Sequence, residues 1–245
     1  MDFSLSPKAT EYLAKLQAFM DSEVFPSESI YQKERAAFVA AGKPHALPPI
    51  IEELKVKARA QGLWNLFLPH LDHGLTVTDY ASLAEITGWS AELAPEAINC
   101  AAPDTGNMEL LDMFGSPEQK KQWLEPLLNS DIRSGFAMTE PDVASSDARN
   151  IKTSIKKDGD YYIINGTKWW TTGAMDERCK ILIVMGKTNP DADDYHQQSM
   201  MLVPIDTPGV KVIRNLNVFG YIDQHGHAEI SFTNVKVSVS NLIGK

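Results

Sequence analysis

The chain has 245 residues, of which 43% are hydrophobic and 22% charged, a composition typical of a globular protein with one large domain or two modest ones. Its net charge of −9 argues against nucleic acid as a partner, because binding to phosphate groups requires a basic face. The sequence begins without a basic region followed by an apolar run, and no apolar stretch approaches the roughly 20 residues of a membrane span. We therefore expect a soluble intracellular protein with no signal peptide and no membrane span.

The first half of the chain has the apolar periodicity and the capping residues that are typical of helices. Ser, Thr and Pro at the predicted starts are typical N-caps and first-turn residues, and apolar residues follow at helical spacing. The predicted helices start at Ser6–Pro7, at Ser27, at Pro48–Pro49, at Thr78–Asp79 and at Ser116–Pro117. This pattern predicts an all-helical segment over residues 1–131.

Alternation of apolar and polar residues dominates from residue 132 to residue 245 and predicts strands. Asp158–Gly159 predicts a hairpin turn, and Asn165–Gly166 predicts a second turn of the same kind. Further strands are predicted at 181–185, 200–205, 210–213, 229–232 and 235–239. Because strands follow helices instead of alternating with them, the sequence predicts an α+β protein with an all-α domain (1–131) and a β domain (132–245).

Two polar stretches in the β segment are candidates for ligand binding. Phe136–Asp147 carries the hydroxyls of Thr139, Ser145 and Ser146 around a proline, and Asn165–Gly173 carries Trp169–Trp170 followed by Thr171 and Thr172. Hydroxyls, backbone amides and an indole are suited to a flat ring with polar edges and a phosphate tail, such as a flavin nucleotide. An ordinary strand end, with both tryptophans packed in or on the sheet, is the alternative.

Other chemistries receive less support from the residues. Cys100 and Cys179 are expected to be reduced packing residues. The six histidines (His45, His70, His73, His196, His225 and His227) have no spacing typical of a metal site. Glu140 and Asp147 are not assigned as a catalytic carboxylate pair, and Asp147 is expected to accept backbone amides in a turn. No glycine-rich phosphate loop or nucleophile elbow is present.

The motifs resemble those of the acyl-CoA dehydrogenase family. Thr139-Glu140-Pro141, closing at Ser146-Asp147, resembles that family's Thr-Glu-Pro…Ser-Asp signature, and Ile164-Asn165-Gly166 through Lys168, Trp170 and Thr172 is similar to its Ile-Asn-Gly-x-Lys-x-Trp-x-Thr signature. Gly62–Pro69, Ala102–Glu109 and Gln119–Leu127 resemble most the branch of acyl-CoA dehydrogenase family members 10 and 11. The turn at 142–146 is one residue longer than the common Gly-Ala-Gly-Ser form, which leaves Ser145 and Ser146 as alternatives for the motif serine; Ser146 is favoured because it directly precedes Asp147.

The resemblance implies a helical N-terminal domain, a β-barrel middle domain and FAD as cofactor. The residues implied to line the flavin are Phe136, Ala137, Met138, Thr139, Ser145, Ser146, Trp170, Thr171 and Thr172. Met138 and Thr139 would face the pyrimidine edge, Thr172 would lie near N5, and Trp170 would pack along the ring. Ser146 would touch the phosphates of the cofactor or the acyl-CoA substrate.

The resemblance also implies a reaction, which is the α,β-desaturation of an acyl-CoA thioester in fatty acid β-oxidation. The family's catalytic glutamate lies in a C-terminal four-helix domain that is expected to be absent from this chain, so the catalytic residue here is unknown. Expected partners are an electron-transfer flavoprotein-type acceptor and copies of the full-length chain in a homodimer or homotetramer. The expected compartment is the bacterial cytoplasm, or a mitochondrion or peroxisome in a eukaryote. Alternatives are a non-catalytic FAD- or acyl-CoA-binding fragment or subunit, and an acyl-CoA oxidase-like flavoenzyme.

Overall fold

The computed structural model describes residues 4–69 and 71–244, which form two compact units, Met1–Thr105 and Gly106–Lys245. The helices are α1 (Pro7–Phe19), α2 (Phe25–Ala40), α3 (Pro49–Ala60), α4 (Val77–Thr87), α5 (Ala94–Ala97), α6 (Asp104–Phe114), α7 (Pro117–Gln119) and α8 (Glu125–Leu128). The strands are β1 (Arg133–Ala137), β2 (Ser154–Asp158), β3 (Tyr161–Thr172), β4 (Cys179–Lys187), β5 (Gln198–Pro204), β6 (Val210–Asn215) and β7 (His227–Ser238). None of the helices among the described residues has the length and apolar character needed to cross a bilayer.

Helices α1 and α2 form one uninterrupted helical run joined by a π-helical turn at Met20–Val24. The prediction that a helix starts at Ser27 is therefore wrong, since the Ser27 hydroxyl lies inside the run and donates to the Glu23 carbonyl at 2.6 Å. A proline inside a helix lacks an amide donor and crowds the carbonyl four residues earlier. The wide turn just before Pro26 accommodates that ring, so the helix continues where the sequence suggested a break.

The other predicted helix starts agree with the structure to within two residues. Helix α4 begins at Val77 because Thr76 and Asp79 form a reciprocal capping box, two residues earlier than predicted. The capping box predicted at Ser116 is confirmed, with Gln119 N donating to Ser116 Oγ at 3.2 Å and Ser116 N donating to Gln119 Oε1 at 3.0 Å.

The second unit is built on a curled seven-stranded sheet of order β1-β4-β2-β3-β7-β6, with β5 paired to β4. The predicted hairpin at Asp158–Gly159 is confirmed, because β2 and β3 pair antiparallel with Asp158 opposite Tyr161. Strands β1 and β4 pair in parallel, and β3 pairs with β7 along most of its length. The two strands predicted at 229–232 and 235–239 are one strand, β7, whose alternation is interrupted at Asn234, a residue with φ of +51°.

The turn predicted at Asn165–Gly166 is wrong, because β3 runs through both residues without turning. The register between β3 and β7 shifts between Ile164 and Gly166, so a bulge replaces the turn. A Cβ atom at Gly166 would lie 2.3 Å from Thr153 Oγ1. Gly166 is therefore required by a close approach of the chain, which local sequence does not reveal.

The core of the second unit lies within the curl of the sheet. Its fully buried side chains include Ile155, Ile164, Leu182, Val184, Met201, Val203, Ile230, Phe232 and Val235. Cys179 is buried on the same core, and Cys100 is buried in the first unit; neither forms a disulfide. The predicted α+β class is thus confirmed as N-terminal helices followed by a curled sheet. The division into domains at residues 131 and 132 stays a prediction.

Candidate functional site

The two stretches singled out in the sequence lie against each other in the structure. Trp169 N donates to the Thr139 carbonyl at 2.9 Å, and the Thr139 hydroxyl donates back to the Trp169 carbonyl at 2.8 Å. These two bonds join the segment that follows β1 to the last third of β3. The polar groups of both stretches therefore belong to one site.

A buried ion pair also joins the segment that follows β1 to strand β3. The Lys168 ammonium, which is fully buried, donates to the Met138 carbonyl at 2.7 Å and to Glu140 Oε1 at 2.9 Å. Glu140 also accepts the amides of Lys152 at 2.7 Å and Thr153 at 2.9 Å. Burial would raise the pKa of Glu140, but the bonds from Lys168 and the two amides outweigh burial and hold that pKa below 4.5.

The geometry gives Glu140 a structural task. Its carboxylate accepts three hydrogen bonds and its pKa is lowered, so it lacks the raised proton affinity that suits a general base. Sequence reasoning withheld a catalytic role from Glu140 but did not identify its partner Lys168. The signal available in the sequence was a lone lysine, Lys168, in a strand whose neighbouring residues are aromatic or carry hydroxyls. A charged residue in such a strand requires a partner of opposite charge.

The turn after Glu140 separates the two candidate serines. Ser145 is buried, and its hydroxyl accepts from Glu140 N at 2.7 Å and donates to Glu140 O at 3.1 Å. Ser146 is exposed on the turn. Asp147 accepts the Arg149 amide as expected, and the Arg149 guanidinium on its carboxylate lowers the pKa of Asp147 to about 2. Ser145 thus closes the turn, while Ser146 has its hydroxyl at the surface.

A second bulge in β3 sets the directions of the tryptophans and threonines. The register with β7 shifts between Lys168 and Thr171, and Trp170 sits at the extra residue with φ of +54°. Left-handed backbone at a non-glycine residue is strained, and it occurs most often beside functional sites. Trp170 is 41% exposed, whereas Thr171 is buried and its hydroxyl has no hydrogen-bond partner.

Thr172 is half-buried and faces β7. Its hydroxyl lies 2.9 Å from His227 Nδ1, and His227 Nε2 lies 3.0 Å from Asp223 Oδ2. The ring centroids of Trp170 and His227 are 6.1 Å apart. His227 and Asp223 had no place in the predicted site, because the residues between 172 and 223 gave no hint that β3 and β7 are neighbours.

The remaining predicted residues lie at the end of β1 and directly after it. Phe136 and Ala137 end β1, where Phe136 is half-buried and Ala137 fully buried, and Met138 is half-buried beside the Lys168 ammonium. No group of three potential metal ligands occurs among residues 4–69 and 71–244, and His70 lies outside the described residues. The site therefore offers hydroxyls, an exposed indole and a histidine to a ligand.

Known proteins are similar to this chain in sequence and in fold. The sequence model described as "Acyl-CoA dehydrogenase, middle domain" matches residues 135–235, which contain both stretches of the site. "Probable acyl-CoA dehydrogenase FadE2" of Mycobacterium tuberculosis is 61% identical over 100% of this chain and 60% of its own length. "Acyl-CoA dehydrogenase family member 11" of Gallus gallus is 52% identical over 98% of this chain and 31% of its own length.

Solved structures agree with these sequence relationships. A protein of Mycobacterium abscessus assigned as an acyl-CoA dehydrogenase is 47% identical, with a TM-score of 0.93 over 98% of this chain and 61% of that one. A glutaryl-CoA dehydrogenase of Mycobacterium smegmatis, solved with FADH2, has the same fold at 22% identity and a TM-score of 0.71. This chain spans about 60% of the length of FadE2 and a smaller share of the longer vertebrate relatives. Over its whole length, the chain is therefore similar to part of proteins named acyl-CoA dehydrogenases.

Proposed function

We propose that the protein is an FAD-dependent acyl-CoA dehydrogenase that desaturates an acyl-CoA thioester between its α and β carbons. The observation that carries this proposal is the joining of residues 138–140 to residues 168–172 by the Thr139–Trp169 bonds and the Lys168–Glu140 pair. That junction places Trp170 and Thr172 on one surface. We call this surface, formed by residues 136–147 and 168–172, the wall. The relatives that match the whole chain are named acyl-CoA dehydrogenases.

The residues of the wall fit a flavin ring. Trp170 is 41% exposed, and its indole has the rings of Trp169 and His227 as neighbours at 6.1 Å, so part of its apolar surface is open to a ligand. Stacking of a flat ring on such an indole is worth about 0.5–1.5 kcal/mol beyond the buried area. The hydroxyls of Thr172 and Ser146 supply polar groups to the proposed site.

Each residue of the wall has a proposed task. Met138 and Thr139 would offer hydrogen bonds to the pyrimidine edge, Thr172 would lie beside N5, and Ser146 would bind the phosphates of FAD or of acyl-CoA. Phe136, Ala137, Ser145 and Thr171 would complete the lining. When bound, FAD would supply the acceptor for the hydride that leaves the β carbon. Donors preorganised at the ring edge would stabilise the negative charge that develops there.

The proton that leaves the α carbon requires a base, and none is assigned in this chain. Glu140 is committed to Lys168 and two amides. We propose that a glutamate of a C-terminal four-helix domain performs this task, that the sheet forms the β-barrel middle domain, and that the longer relatives carry that further domain. An electron-transfer flavoprotein-type acceptor, a homodimer or homotetramer, and a cytoplasmic, mitochondrial or peroxisomal location remain proposals of the same kind.

Flavin content and anaerobic reduction test the proposal. The full-length protein is purified, its released flavin is identified, and the protein is titrated with straight-chain and branched acyl-CoA thioesters in the absence of oxygen. We expect FAD, loss of the visible absorbance of oxidised flavin with at least one thioester, and the matching enoyl-CoA by mass spectrometry. A protein that binds no flavin would contradict the proposal. Rapid reoxidation of the reduced protein by oxygen would favour the oxidase alternative.

A further inference from the structure

The side chains of Thr172, His227 and Asp223 lie in contact in that order, and only Thr172 has a task in the proposed function. The Thr172 hydroxyl lies 2.9 Å from His227 Nδ1, and His227 Nε2 lies 3.0 Å from Asp223 Oδ2. All three side chains are partly shielded from water, since those of His227 and Asp223 are 21% and 29% exposed. The histidine is thus held between a carboxylate and a hydroxyl.

The backbone around these three residues is fixed on both sides. Thr172 and His227 are directly opposite each other in the pairing of β3 and β7. The His227 amide donates to Asn215 Oδ1 at 2.8 Å, and its carbonyl accepts from Leu216 N at 2.8 Å. Asp223 Oδ1 accepts the Gly226 amide at 2.6 Å. These bonds and the strand pairing fix the backbone from which the Thr172 and His227 side chains extend.

The carboxylate of Asp223 influences which ring nitrogen of His227 carries a hydrogen. An ionised carboxylate can only accept, so Asp223 Oδ2 at 3.0 Å from His227 Nε2 favours a hydrogen on that nitrogen in both the neutral and the charged ring. In the neutral ring, Nδ1 is bare and the Thr172 hydroxyl must donate to it. In the charged ring, Nδ1 carries a hydrogen and donates to Thr172, which frees the hydroxyl hydrogen to point elsewhere.

Other charged groups near His227 are already engaged with each other. On β6 and β7, Arg214 pairs with Glu229 at 2.7 Å. In the loops before β4 and β7, Asp176 pairs with Arg178 at 2.7 Å and lies 3.9 Å from His225. Asp223 is the carboxylate in direct contact with the His227 ring among the described residues.

We propose that His227 is a positioning residue whose protonation decides whether the Thr172 hydroxyl donates or accepts a hydrogen bond toward the flavin. This inference rests on the proposed function, because it requires a flavin ring nitrogen beside Thr172. Oxidised flavin has a bare N5 that accepts, which favours the charged His227. Reduced flavin has a hydrogen on N5 that donates, which favours the neutral His227.

Binding of FAD as a function of pH tests this relay, by which we mean the contact from Asp223 through His227 to the Thr172 hydroxyl. Affinity for oxidised FAD is measured by titration calorimetry at about pH 5.5 and about pH 8, on either side of the range in which histidine titrates. The ratio is the affinity at about pH 5.5 divided by the affinity at about pH 8. We expect this ratio to be about tenfold larger in the wild type than in His227→Asn, which is the change that one net hydrogen bond produces. Asparagine keeps a polar group near the position of Nδ1 but cannot take up a proton. With chemically reduced FAD under anaerobic conditions, the pH trend of the wild type relative to the variant reverses.

Matched variants separate a positioning role from a structural one. His225→Asn removes a neighbouring histidine and should keep the wild-type ratio, whereas Thr172→Val should lose it, and adding His227→Asn to Thr172→Val should change nothing more. Asp223→Asn, an independent route to the same relay, should also alter the ratio. Equal pH profiles in the wild type and His227→Asn, with FAD still bound, would overturn the relay and leave the proposed function standing. Failure of the wild type to bind FAD at either pH would overturn both.

Discussion

Glu140 shows how one residue can hold the two stretches of a proposed binding site together. Its carboxylate gathers the ammonium of Lys168 and the amides of Lys152 and Thr153, and its own backbone is closed by the Ser145 hydroxyl. Removal of one partner of a buried ion pair leaves the other charge without compensation. The residue is therefore important for the position of the wall, although it takes no part in the proposed chemistry.

Glu140→Gln should lower the free energy of unfolding at neutral pH by about 3–5 kcal/mol, because the buried Lys168 ammonium loses its counter-charge. Urea denaturation followed by circular dichroism measures this change. The double variant Glu140→Gln, Lys168→Met should recover part of the loss, since it removes the uncompensated charge as well. Glu177→Gln, on an exposed glutamate of the same unit, serves as the control and should cost little.

The stability of Glu140→Gln should also depend on pH differently from that of the wild type. The direction of the Glu140 pKa shift sets the sign of this difference. The pKa of Glu140 is lowered in the folded protein, so its contribution to stability is complete above the ordinary value of 4.5 and is lost as pH falls through the lower folded value. Below pH 4.5, the wild type should therefore lose stability more steeply than Glu140→Gln. Parallel acid profiles of the two proteins would show that the pKa of Glu140 is not lowered in the folded state.

Strand β3 is the element on which the site depends, and it is also the element that sequence reasoning described least well. The motif residues from Asn165 to Gly173 identified the right stretch of chain, because hydroxyls and paired tryptophans are recognisable locally. The interpretation of Asn165–Gly166 as a turn failed, since the two bulges in β3 depend on contacts with Thr153 and with β7 that are distant in sequence. For the same reason, the pairing of Thr172 with His227 could not be predicted.

Hydrophobic periodicity predicted most helices and strands of the chain correctly. It did not predict α5, α6 or β1. Its errors among the predicted elements occur where a local signal competes with a distant contact. Ser27 and Pro26 give a strong helix-start signal, yet the π-helical turn at Met20–Val24 allows the helix to continue through them. Ser145 and Ser146 are indistinguishable by composition, and only the fold shows that Ser145 closes the turn while Ser146 is exposed.

Gly166→Ala tests whether the first bulge of β3 requires a glycine. The new Cβ atom would come within 2.9 Å of the Thr153 Cα atom, so a side-chain rotation cannot relieve the clash. We expect a loss of about 1–3 kcal/mol in the free energy of unfolding, the usual cost of overpacking. Gly106→Ala in α6 is the control, because a Cβ atom there meets nothing within 4 Å and alanine favours a helix. An equal stability for the two variants would show that the close approach to Thr153 is easily relieved.

At the scale of the whole molecule, the charge and the length of the chain constrain the proposed function. With a net charge of −9, the overall field repels the phosphates of FAD and acyl-CoA, so local groups such as the Thr172 and Ser146 hydroxyls must provide the affinity. The chain spans about 60% of the length of FadE2, and the proposed catalytic base lies in the part that the longer relatives have in addition. The central claim is therefore about binding: residues 136–147 and 168–172 together form a flavin-binding wall.

The affinity of Trp170→Ala for FAD tests that claim most directly. Tyr161→Ala is the matched control, because Tyr161 begins the same strand and is similarly exposed, at 43% against 41% for Trp170. Calorimetric titration should give an affinity for oxidised FAD that is about threefold to tenfold lower in Trp170→Ala than in the wild type, as expected for the loss of one aromatic stacking contact. The Tyr161→Ala affinity should equal that of the wild type. Unchanged binding in Trp170→Ala, or an equal loss in both variants, would contradict a flavin site on this wall.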